Sequence, residues 1–125
     1  MSEQSNVDGR HILVVSDDDR IRDEARFGFA PDLGVALARD AREALEQMEI
    51  DIPSVVVIDL HTGSAGGFAL AKDMGQRSRL SSVPVMMLLD RDQDRWLADQ
   101  AGARLIRTKP IDTTDLVRDA LSLLD

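Results

Sequence analysis

With 125 residues, 43% of them hydrophobic and 30% charged, the chain has the material for one domain around one core and is not a disordered polymer. A formal net charge of −8 argues against nucleic acid as a partner, and the absence of cysteine excludes disulfides and thiolate metal sites. No apolar run approaches the roughly 20 residues of a membrane-spanning helix, and no signal-peptide core opens the chain, so a cytoplasmic protein with no membrane partner is expected.

The opening "MSEQSNVDG", residues 1–9, is polar and is expected to be a flexible tail, leaving residues 10–125 as the domain. "HILVV" (His11–Val15) is the first apolar run, and it stops at "SDDD" (Ser16–Asp19). Ile21, Ala25, Gly28 and Phe29 then fall on one helical stripe. "GVALA" (Gly34–Ala38) follows, and Asp40 with Glu43 three residues on resembles a capping box. Ala41, Ala44, Leu45 and Met48 carry the helix that it starts. "VVVID" (Val55–Asp59) is the third run, and "HTGSAGG" (His61–Gly67) after it reads as a flexible loop. "PVMMLL" (Pro84–Leu89) is the fourth, followed by a helix in which Trp96, the sole tryptophan, is expected to pack. An exposed Trp96 would instead mark a partner surface. "ARLIR" (Ala103–Arg107) is the fifth run and leads into "RTKP" (Arg107–Pro110). Asp112 then precedes a last helix with Leu116, Val117, Ala120, Leu121 and Leu124 on one face.

Strands and helices alternate, and three of the strands are continuously rather than alternately apolar. That is the pattern of a parallel sheet covered on both faces, a doubly wound α/β fold. In such sheets ligands bind beyond the carboxyl ends of the strands. If the first, third and fifth strands lie close together, Asp17, Asp59 and Lys109 converge there. Packed carboxylates repel, and a cation relieves them; oxygen ligands without cysteine suit Mg²⁺. A nearby lysine would keep Asp59 ionised, and an ionised aspartate can attack phosphorus.

In order and spacing, "ILVVSDDDRIR", "VVVIDLHTGSAGGF", "VPVMMLL" and "AGARLIRTKP" resemble the receiver domains of two-component response regulators, over essentially the whole chain from Arg10 onward. The resemblance implies a five-stranded sheet of flavodoxin-like order 2-1-3-4-5. It implies that Asp59 is the phosphoacceptor, that Asp17, Asp59 and the backbone carbonyl of His61 ligate Mg²⁺, and that Lys109 binds the phosphoryl group. It makes Lys109–Pro110 a candidate cis bond. It also implies a signalling domain rather than an enzyme, with a histidine kinase or small phosphodonor upstream and a protein partner on the face of the fourth helix, fifth strand and fifth helix; a homodimer stays open.

Several positions depart from the family. Ser16 stands where the first acid of a pair is usual, so magnesium affinity is expected to be weak unless Asp18 compensates. Leu89 replaces a Ser or Thr that signals phosphorylation, and Ile106 replaces an aromatic switch. Thr62 and Gly63 replace an apolar residue and a proline. The alternative is therefore a phosphorylation-independent interaction module. His11 and His61 are read as a strand residue and a loop side chain, not as ring ligands of a metal. "DLHTG" also resembles the first motif of haloacid-dehalogenase-type phosphatases, but His61 replaces its second acid and the motif sits on the wrong strand.

Overall fold

The computed structural model describes residues 10–60 and 66–124. Each apolar run forms a strand: β1 (His11–Val15), β2 (Gly34–Ala38), β3 (Val55–Asp59), β4 (Val85–Leu89) and β5 (Leu105–Thr108). All pairings are parallel and the order is β2-β1-β3-β4-β5. The helices are α1 (Asp19–Gly28), α2 (Ala41–Ile50), α3 (Gly66–Gln76), α4 (Arg95–Gln100) and α5 (Thr113–Ser122), with a 3-10 turn at Asp92–Asp94 leading into α4. This is the doubly wound, flavodoxin-like sheet expected from the sequence. No helix among the described residues is long and apolar enough to cross a membrane. The expected N-terminal tail lies outside the described residues.

The strands are continuously apolar because alternate side chains enter two different cores. Leu13, Val15, Val56, Ile58, Met87 and Leu89 pack with Ala44, Met48, Leu70 and Ala98 of α2, α3 and α4. Ile12, Val14, Val55, Val57, Met86 and Leu88 pack with Ile21, Ala25, Leu116 and Ala120 of α1 and α5. Register then aligns the strand ends. Val15 pairs with Ile58, Asp59 with Leu88, and Leu89 with Thr108. Ser16, Asp59, Asp90 and Lys109 therefore all emerge at one edge, where the chain order reverses around β1.

The helix starts follow the capping signals with two differences. Asp18 caps α1, accepting from Arg20 N–H at 2.9 Å, and Asp40 caps α2, accepting from Glu43 N–H at 2.9 Å. Glu43 reaches back one residue further than a capping box requires, accepting from Arg39 N–H at 2.8 Å. That backbone hydrogen bond, with the Arg39 guanidinium beside it, holds the Glu43 carboxyl below its ordinary pKa. Asp112 occupies the N-cap position of α5 but makes no side-chain cap bond.

Three expectations need correction. "HTGSAGG" reads as loop through Gly67 in the sequence, whereas α3 begins at Gly66. A Cβ at Gly67 would sit 1.9 Å from Leu60 Cδ2, so glycine is what lets the first turn of α3 lie against the end of β3. The fifth strand starts at Leu105, not Ala103, because α4 ends in a Schellman motif: Gly102 has φ +98°, Gly102 N–H bonds Asp99 O at 3.0 Å, and Ala103 N–H bonds Ala98 O at 3.1 Å. Trp96 does not pack: it is 67% exposed on α4, whose one buried residue is Ala98.

A buried network at the carboxyl edge of the sheet

Asp59 ends the central strand, and its side chain has no exposed surface. A buried carboxylate is costly unless its oxygens are paired. Here Ser16 Oγ donates to Asp59 Oδ2 at 2.6 Å, and the Lys109 ammonium contacts Asp59 Oδ1. Ser16 Oγ in turn accepts from Asp18 N–H at 3.0 Å, while Arg22 Nη1 donates to the Ser16 carbonyl at 2.6 Å. The serine at the acid-pair position is thus a working donor, held in place from two sides.

Lys109 makes a second ion pair, with Asp90 Oδ1 at 2.8 Å. Burial alone would lower the Lys109 pKa, but hydrogen bonds and charge attraction from Asp59 and Asp90 outweigh it, and the ammonium titrates above its ordinary value. One cation serves two carboxylates. Asp90 was not singled out from the sequence, although the signal was there: as Asp59 closes the run of β3, Asp90 is the acid that stops the run of β4.

The other expected site residues fall as follows. Asp17 is exposed and lines a cavity of about 120 Å³ together with Ser16, Asp59, Arg39, Asp40 and Gly67. Asp18, the expected compensating acid, has its carboxylate turned to the α1 cap instead. The Lys109–Pro110 bond is cis. Leu89 is fully buried and Ile106 half-buried against the same core, so neither brings a polar group to the network. His61, Thr62 and Gly63 lie outside the described residues.

Among the described residues no three acidic or histidine side chains are grouped to hold a metal. Of the three carboxylates that line the cavity, Asp40 is turned to the α2 cap; Asp17 and Asp59 are nonetheless a donor set that Mg²⁺ accepts, because it takes one or two carboxylates and keeps its waters. Ser16 lowers the negative charge available to it.

Comparison with known proteins agrees with this geometry. Residues 12–121 match the family model described as response regulator receiver domain. The chain is 34% identical over 111 residues to an uncharacterised 14.6 kDa protein of Leptolyngbya boryana, covering 86% of this chain and 84% of that one. It is 32% identical over 116 residues to response regulator MprA of Mycolicibacterium vanbaalenii, covering 90% of this chain and 49% of the regulator. It spans 47% of transcriptional regulatory protein CseB of Streptomyces coelicolor, again about half of the relative's length. Among solved structures, chemotaxis protein CheY4 of Vibrio cholerae shares the fold with a TM-score of 0.82 at 23% identity, over 92% of this chain and 98% of that chain. The match over residues 12–121, with an aspartate ending the central strand and a lysine following the fifth, places the chain in the response regulator receiver domain family of two-component signalling.

Proposed function

We propose that this receiver domain takes a phosphoryl group on Asp59 from a histidine kinase or a small phosphodonor. The reading is supported above all by one observation: a fully buried carboxylate at the end of the central strand, in contact with a lysine ammonium. A carboxylate oxygen of Asp59 attacks the donor phosphorus. A new O–P bond forms, the donor's bond to phosphorus breaks, and its electron pair leaves with the donor group. Asp59 reacts as the anion, so it has no proton to lose. Lys109 shifts from the carboxylate to the incoming phosphoryl oxygens and neutralises them. Ser16 keeps its hydrogen bond to the second oxygen and so orients the first.

Asp17 and Asp59 would hold Mg²⁺, with the His61 carbonyl as the third protein ligand implied by the family, and the bound ion would offset charge on the phosphoryl oxygens. With Ser16 in place of an acid, this affinity is weak.

A second reading has its own support. Trp96 is 67% exposed and Leu97 beside it 46%, both on α4. A module that binds a protein partner through α4 regardless of Asp59 would need neither Leu89 nor Ile106 as a switch. One experiment separates the two. The chain is incubated with Mg²⁺ and acetyl phosphate, and its intact mass is measured beside Asp59→Asn. One phosphoryl adduct, absent from the variant, is expected; an unmodified chain leaves the surface module.

A further inference from the structure

The segment that joins β4 to α4 is fastened to the end of β5 at two side chains. Asp90 Oδ1 lies 2.8 Å from Lys109 Nζ, and Thr108 Oγ1 donates to Asp92 Oδ1 at 3.3 Å. Just before them, Lys109 N–H bonds the Leu89 carbonyl at 2.8 Å. Beyond them, the 3-10 turn Asp92–Asp94 runs directly into α4 and is clipped by Arg91–Asp94 at 3.0 Å and Arg95–Asp92 at 3.3 Å. A displacement at Asp90 therefore has a short, continuous path to the first turn of α4. Leu89, buried and apolar, offers Asp59 no polar contact; Asp90, its neighbour in the chain, shares the ammonium that Asp59 uses.

We propose that Asp90 is a positioning residue that reports the state of Asp59 to the start of α4 by competing for Lys109. The inference rests on Asp59 being the phosphoacceptor. At rest one ammonium is divided between two single carboxylates. A phosphoryl group on Asp59 brings about −1.5 to −2 charge and three strong acceptor oxygens. Lysine is a compact point charge on a flexible stem, so it follows the larger charge rather than holding a fixed fork. Asp90 then loses this partner and at the same time faces a stronger anion. Its side chain is already 27% exposed, which gives it a way out toward solvent. The two states of Asp59 thus differ in their interaction with Asp90, which is what a coupled equilibrium requires. The sign is distinctive: the segment is tied down at rest and released by repulsion, whereas a hydroxyl at position 89 would be drawn in by attraction.

The test is backbone hydrogen exchange over residues 91–97 of the full chain, before and after acetyl phosphate with Mg²⁺, with intact mass read on the same samples. The expected result in the native chain is an adduct and a several-fold rise in exchange over that segment. In Asp90→Ala, and in the size-matched Asp90→Asn, the segment already exchanges fast at rest and rises no further when the adduct is present. Asp90→Glu restores the native response. An adduct with unchanged exchange in the native chain, or with an equal rise in Asp90→Ala and Asp90→Asn, overturns the role of Asp90 and leaves Asp59 as acceptor. No adduct in the native chain overturns both.

Discussion

Ser16 couples the start of α1 to the buried carboxylate of Asp59. Its hydroxyl donates to Asp59 and accepts from Asp18 N–H, while Lys109 supplies the cation at the other Asp59 oxygen. Ser16→Ala leaves a buried carboxylate oxygen without this donor and is expected to cost about 1–3 kcal/mol, read as a lower urea midpoint at unchanged slope. Ser16→Asp sets a second carboxylate against Asp59. Without metal that variant melts below the native chain, and Mg²⁺ raises its melting temperature by more than it raises the native one. An equal Mg²⁺ effect on both would show that Ser16 does not set the affinity. Lys109 makes a pH prediction. Its folded pKa lies above the ordinary value of 10.5, so its contribution is complete below that value and disappears as pH rises through the folded one. In metal-free buffer the stability gap between the native chain and Lys109→Met should stay constant from about pH 7 to 9 and close only at higher pH. A gap that already closes between about pH 7 and 9 would place the effect elsewhere. The sequence showed Asp59, Asp17 and Lys109 because each lies at or within two residues of the end of an apolar run, in segments whose order and spacing resemble a known family. It hid the pairing of Lys109 with Asp90, because a second acid after β4 means little until register brings Leu89 opposite Thr108.

At the scale of elements, the runs at His11, Gly34 and Val55 matched their strands, since an apolar run bounded by acids or glycine has few other options. The boundaries that were missed were decided by contacts no local pattern shows. α3 reaches forward to Gly66 because Gly67 can lie against Leu60 and Ile58. Gly67→Ala is therefore expected to cost about 1–3 kcal/mol through overpacking, measured by urea unfolding; a neutral result would mean that α3 tilts away freely. β5 is delayed because Ala103 is still bonded to α4. A glycine three residues before an apolar run can close a helix or start a loop, and only the positive φ at Gly102 distinguishes them.

For the molecule as a whole, a parallel sheet between two cores follows from strands that are apolar on both sides, and that much could be read without coordinates. The surface could not. Arg91, Arg95, Arg107 and Arg118 each have an acidic partner within the chain: Asp94, Asp92, Asp119 and Asp115. What α4 offers instead is the exposed Trp96. Because it is exposed on a short helix, Trp96→Ala should change folding stability by no more than about 0.5 kcal/mol; a larger loss would mean that the ring packs in solution. The central claim is that Asp59 carries the phosphoryl group, and borohydride trapping tests it most directly. After treatment with acetyl phosphate and Mg²⁺, reduction converts an aspartyl phosphate to homoserine, and peptide mass mapping finds where. Homoserine at position 59 alone is the predicted result; homoserine at Asp17 or Asp90, or at no position, would contradict it.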